Sequence, residues 1–286
     1  MRILFVEGAY TSHSQEAMAI LANGMRLSGD KVERRESCLP GFDAAVMASG
    51  PKSTAPRLSR HRIETKKLYG MRTLVLESAA IRAGREHADA DPFYRLSWGG
   101  FLRDDSDYMN EDSPRDRWDW IADLQRIQLQ PAREASDGHW LICLQKPSDA
   151  SLRGLEAHQW GANVAKEIKS RYPSARLCVR PHPLDKAAIA KGPKLCSFTK
   201  ALKGAKACVT YTSLSAIEAI CAGVPSYALN SGSLAFGLSQ NTLEGPPVLP
   251  SADVRDQWLW DLAYTQWRLS EMRTGAPWQR MRSKWE

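Results

Sequence analysis

Apolar residues recur along this chain in short runs of four to six, separated by stretches with the 3.6-residue period of amphipathic helices. That alternation predicts an α/β protein with parallel sheets and helices on both faces. Residues 1–6 form the first apolar run, predicted as a strand that opens on Glu7 and Gly8. Residues 14–27 carry a helical period that Gly29 terminates, and residues 31–35, 44–47 and 72–77 read as further strands. Residues 92–112 mix aromatic, glycine and acidic positions without a period and read as irregular. Ser113 and Pro114 then start a helix reaching about residue 128, with Trp118, Ile121 and Leu124 on one face.

The second half repeats the alternation after a linker over residues 131–137. Strands are expected at 140–144, 176–179, 207–211 and 226–229, and helices at 155–171, after Leu184 and at 216–222. A last long helix is expected over 254–273, with Trp258, Leu262, Thr265 and Leu269 on one side. The expected division is an N-terminal Rossmann-like domain over 1–132, a C-terminal one over 133–253, and a terminal helix over 254–286 that crosses back to the first domain.

Composition narrows the class. A chain of 286 residues has room for two domains. No apolar run approaches the ~20 residues that span a bilayer, and residue 1 leads straight into a strand, so the expected location is the cytoplasm, or a host's cytoplasm for a phage protein. The six cysteines occur singly, without zinc or redox spacing, and read as small core residues, with no metal expected. The net charge of +7 is concentrated. Residues 51–85 hold Lys52, Arg57, Arg60, Arg62, Lys66, Lys67, Arg72, Arg82 and Arg85 against Glu64 and Glu77, an excess that equals the whole net charge. The segment around residues 57–67 reads as a basic helix or loop. Two readings stay open, a solvated face or a docking strip for a polyanion such as DNA or an acidic glycan.

Candidate chemistry lies where three strands of the second half end. The first runs into Gln145, Lys146, Pro147, Ser148 and Asp149. The second ends in Arg180-Pro181-His182-Pro183, where two prolines forbid helix and hold His182 in a rigid turn. The third delivers Thr210, Thr212, Ser213 and Ser215 to the start of a helix, a place suited to phosphate. The same residues also fit a plain capping box of Ser215 and Glu218, and Asp149 fits an ordinary Ser-Asp turn. Three polar corners in order sit at the strand ends where open α/β sheets bind ligands.

Gln145-x-Pro-x-Asp149, His182-Pro183, Thr212-Ser213-Leu214-x-x-x-Glu218-Ala219 and Gly223-Val224-Pro225 together resemble the signature of the capsule-polysaccharide glycosyltransferases, among them the Kdo transferases and compact phage-encoded relatives. The resemblance covers about residues 138–272. It implies a GT-B fold, two Rossmann-like domains facing a central cleft, and a nucleotide-sugar donor linked to CMP or UDP, with no metal or other cofactor. It further implies a retaining reaction in which Asp149 attacks the anomeric carbon. His182, Arg180, Ser213 and Ser215 would serve the leaving phosphate, Glu218 the ribose, and Gln145 and Thr212 the donor. The basic, compact first half suggests a hydroxymethyl-pyrimidine in phage DNA as acceptor. Arg57, Arg60, Arg62, Lys66 and Lys67 would contact the backbone, and Trp98, Tyr94 or Phe101 would stack on the extruded base. The alternatives are a capsule or lipid-linked glycan acceptor, a nucleotide-sugar epimerase, or a non-catalytic nucleic-acid-binding module.

Overall fold

The computed structural model describes all residues except 9, 49–55, 82–90, 134–136 and 192–195, together with the side chains of 56–61 and 191. In chain order the strands are β1 (Arg2–Val6), β2 (Lys31–Arg35), β3 (Ala44–Ala48), β4 (Thr73–Ser78), β5 (Phe93–Trp98), β6 (His139–Cys143), β7 (Leu177–Arg180), β8 (Ala205–Thr210), β9 (Ser226–Ala228) and β10 (Gln266–Arg268). The helices are α1 (Ser12–Leu27), α2 (Pro56–Tyr69), α3 (Asp116–Gln125), α4 (Ala157–Arg171), α5 (Lys186–Lys191), α6 (Phe198–Lys203), α7 (Ser215–Cys221), α8 (Ala252–Ala263), α9 (Leu269–Thr274) and α10 (Ala276–Arg282). The chain divides into one unit of Met1–Gln125 with Leu259–Glu286, and a second of Arg126–Trp258.

In the first unit the apolar runs became strands because they are buried on both faces: Ile3, Leu4, Phe5 and Val6 expose 1% or less. Its sheet has the order β10-β5-β4-β3-β1-β2; β1 to β4 are parallel, and β5 alone runs against them, pairing antiparallel with β4 on one side and β10 on the other. Two of these strands depart from the sequence expectation. β5 lies in the stretch read as irregular, and every residue of it is buried, Arg95 included. Burial of Arg95 is tolerated because its guanidinium donates to Ser78 O, Phe101 O and the Tyr108 hydroxyl. β10 interrupts the long helix expected over 254–273. Residues 266–268 pair with β5 instead, and the Gln266 side chain accepts from Ala80 N and Ile81 N, both at 2.9 Å.

Trp98 belongs to the core of this unit. It is fully buried, lies 6.0 Å from Trp278 between ring centres, and donates from its indole to Met281 O at 2.8 Å. The expectation that it stacks on a nucleic-acid base is therefore corrected. A ring so enclosed contributes packing, and truncating one typically costs about 3–5 kcal/mol.

The second unit holds a four-stranded, all-parallel sheet in the order β7-β6-β8-β9. Leu141, Ile142, Ala207, Cys208 and Val209 are completely buried in it. Cys143 and Cys208 face each other with sulfurs 3.9 Å apart, and all six cysteines are free. Taken separately, each unit places its first four strands in the spatial order 2-1-3-4. In the second unit that order reverses between β6 and β8, which opens a crevice at their carboxyl ends. A short helix, α6, precedes β8 and was not anticipated. Ser197 caps it by accepting from Lys200 N. Among the described residues no helix is long and apolar enough to cross a membrane.

Candidate functional site

The ends of β6 and β8 are tied together across the strand-order reversal. Gln145, two residues past β6, accepts at Oε1 from Thr212 N at 3.0 Å, and its Nε2 lies 2.9 Å from Thr212 Oγ1. Both residues are buried, and their polar groups are taken up by each other and by Ser151. They position the corner rather than present free groups to a ligand.

From Gln145 the network runs on to Asp149. Gln145 Nε2 donates to Ser151 Oγ, and Ser151 in turn donates to Asp149 Oδ1 from both its hydroxyl (2.7 Å) and its amide (2.9 Å). Asp149 thereby caps a short 3-10 turn, Ala150–Leu152. The turn reading of Asp149 and the site reading thus coexist, because these bonds all fall on Oδ1. Ser151, absent from the sequence-derived candidates, is the link. Its signal was its place two residues after an aspartate, where Asx turns close.

The corner carries backbone strain. Asp149 N donates to Lys146 O at 3.1 Å, with Pro147 and Ser148 between them, and Ser148 has φ 63°. Proline followed by a left-handed residue is the type II pattern, which favours glycine at the second place. A serine held there costs on the order of 1 kcal/mol. Ser148→Gly is expected to stabilise the protein by about 0.5–1 kcal/mol, raising Tm by roughly 1–4 °C. An unchanged or lower Tm in a thermal melt would show that the serine is not strained.

His182, at the end of β7, is half-buried. Its Nδ1 accepts from Leu184 N at 3.1 Å, which leaves the proton of the neutral ring on Nε2. Burial holds its pKa below the ordinary histidine value. Asp149 pulls it up, while Lys146 and Arg180 push it further down. Asp149 and Lys146 on one corner and His182 on the next are thus within electrostatic reach. Arg180 turns elsewhere: Nη2 donates to Cys196 O at 3.3 Å and the guanidinium lies 5.5 Å from the Phe198 ring centre.

At the third corner the expected capping box is replaced. Ser215 is the first residue of α7, and Leu214 stands at the cap without a side-chain bond. Ser213 Oγ accepts from Ser215 N at 3.2 Å and lies 3.0 Å from Ser215 Oγ. Both hydroxyls are partly exposed. Glu218 is exposed on α7. The Cys208 thiol is pushed up by its hydrogen bond with Cys143 and by burial, and the Cys221 thiol by burial, with the Glu218 charge adding to both.

In the first unit, the side chains of Arg57 and Arg60 lie outside the described residues, as do Lys52, Arg82 and Arg85. Arg62 lies with its guanidinium 6.0 Å from the Phe101 ring centre. Lys66 pairs with Asp105 at 2.8 Å, and Lys67 is exposed. Arg72 donates to Asp43 O and covers the Trp285 ring at 5.0 Å. Much of the described basic charge is therefore locally engaged. No group of three or more His, Cys, Asp or Glu suited to a metal occurs among the described residues.

No protein-family model matches the chain, and no curated protein matches it. Solved structures do. The chain aligns over 99% of its length with 99% of the Thermosulfurimonas dismutans KpsC beta Kdo 2,7 transferase, at 17% identity and a TM-score of 0.58. It aligns over 92% of its length with 89% of the beta Kdo 2,4 transferase of the same organism's KpsC, at 15% identity and the same TM-score. The likeness is one of fold. It agrees with the fold implied by the residue signature of the second half, and it extends to the first half, which that signature did not cover.

Proposed function

We propose that this protein is a glycosyltransferase that takes a nucleotide sugar at the carboxyl edge of the β7-β6-β8-β9 sheet and passes the sugar to a hydroxyl of a glycan. The observation that carries this reading is the arrangement of Asp149, His182 and the Ser213 and Ser215 hydroxyls on successive strand ends, within a fold similar to that of two solved structures named Kdo transferases. In this reading the His182 Nε2–H and the two serine hydroxyls donate to the leaving phosphate as its charge grows. Asp149 attacks the anomeric carbon through Oδ2 while the nucleotide departs. The acceptor hydroxyl then displaces Asp149, its proton passing to the departed nucleotide's phosphate, and two inversions give net retention. A CMP-linked donor is the first to try, and a UDP-linked one the second.

A glycan acceptor is favoured over a hydroxymethyl-pyrimidine in DNA because the DNA reading has lost supports. Trp98 is enclosed in the core, and Lys66 is already paired with Asp105. The test supplies CMP-, UDP- and GDP-sugars with a Kdo-terminated oligosaccharide, and separately with hydroxymethyl-pyrimidine DNA. Nucleotide release with a one-sugar mass gain on the oligosaccharide is expected. A gain on the nucleoside instead would move the acceptor to DNA. Absence of nucleotide release with every donor and acceptor would sink the glycosyltransferase reading.

A further inference from the structure

His158, in the first turn of α4, meets Asp185 with Nε2 2.7 Å from Oδ2, and neither residue belongs to the resemblance or to the corners described above. Asp185 exposes only 8% of its surface, so its carboxylate needs partners to offset lost hydration. It has them: Oδ1 accepts from Ala188 N at 3.1 Å, and Oδ2 faces His158. These contacts, the Ala188 amide first, hold its pKa below the usual carboxylate value. The Asp185 amide donates to His182 O at 2.9 Å, which closes a turn around Pro183 and Leu184. Within that same turn the Leu184 amide donates to His182 Nδ1.

We propose that the His158–Asp185 pair is a positioning device for His182: it clamps the turn of residues 182–185 to α4, so that the Leu184 amide stays on Nδ1 and the ring presents Nε2–H to the site. An apolar clamp would fix the backbone equally well. This one also places a carboxylate near the imidazole. The charged groups around His182 are Asp149 and Asp185, which favour its protonated form, and Lys146 and Arg180, which oppose it. Glu156, a further charge near the pair, caps α4 by accepting from the His158 and Gln159 amides. The catalytic consequence rests on the proposed glycosyl transfer; the geometry does not.

The test reads the imidazole nitrogens directly. 15N spectra of the histidine side chains, with His182 assigned by its loss in His182→Asn, should show the Nε2–H tautomer in the unaltered protein. Asp185→Asn should mix the two tautomers and move the His182 titration to lower pH, because a nearby anion that favours the imidazolium is gone. His158→Ala, which leaves the Ala188 bond to Asp185 in place, should also mix the tautomers. If Asp185→Asn fails to fold, the His158 variant decides alone. In the transfer assay both variants should lower kcat by about tenfold with KM within about twofold, as expected for a misoriented donor group. An unchanged His182 tautomer and titration in the folded variants overturns the inference, even in an enzyme that transfers sugar. A changed tautomer in a protein that releases no nucleotide keeps the inference and sinks the function instead.

Discussion

Asp149→Asn is expected to lower the transfer rate at least roughly a thousandfold, the scale on which removal of a reacting nucleophile acts, while the folded protein melts within about 1 °C of the original. Asparagine is the informative replacement because its carbonyl oxygen keeps the two bonds that Ser151 gives to Oδ1. The link through Ser151 to Gln145 and Thr212 then survives, and only the reactive carboxylate is lost. Asp149→Ala removes the cap as well, at about 1 kcal/mol, so it mixes a structural loss with the chemical one. Initial rates of nucleotide release, compared with melting curves of the same preparations, separate the two. Activity above about a tenth of the original in Asp149→Asn would remove Asp149 from the reaction and leave it as a turn residue.

Gly223→Ala should cost the fold a large share of its stability. Gly223 has φ 75°, and a methyl group on its Cα would lie 2.0 Å from Pro131 O. That carbonyl cannot easily withdraw. Residues 130–133 are held beside the α7–β9 corner by Gln130 N to Cys221 O at 2.8 Å and Arg133 N to Gly223 O at 3.0 Å. The left-handed backbone costs an alanine about 1–2 kcal/mol, and the clash with the carbonyl costs at least as much again. A total of about 3 kcal/mol corresponds to a fall in Tm of roughly 6 °C or more. Gly154→Ala is the control. Gly154 also has a positive φ, 88°, but nothing lies within 4 Å of the added carbon, so the alanine there meets backbone strain without a clash. Equal melting temperatures for the two variants would show that Pro131 O does not confine Gly223.

The elements legible in the sequence were those whose cause is local. The expected strands over 1–6, 44–47 and 207–211 rest on apolar runs of strand length that became β1, β3 and β8, and α1 and α4 are long enough for their period to show. The three polar corners were legible because prolines and clustered hydroxyls end a strand whatever surrounds it. β5 was not, since Arg95 and Ser97 break its apolar pattern. Their burial becomes tolerable only once the segment after β5 folds back to bring Gly100 O, Phe101 O and the Tyr108 hydroxyl onto them, and the neighbouring strand β4 brings Ser78 O. The break in the long terminal helix had a distant cause too. Residues 266–268 leave the helical pattern to pair with β5, an edge no local window contains.

By itself, then, the sequence determined the alternation of strands and helices and which residues stand at the strand ends. Those depend on propensity, period and turn chemistry among neighbours a few positions apart. Only the tertiary structure decided what each polar residue is for. Gln145 and Thr212 bind each other, Trp98 is sealed in a core, Arg180 lies against Phe198, and His158 reaches Asp185. A side chain's role is set by which partners satisfy it once water is excluded, and those partners are fixed by strand order, which brings together residues far apart in the chain.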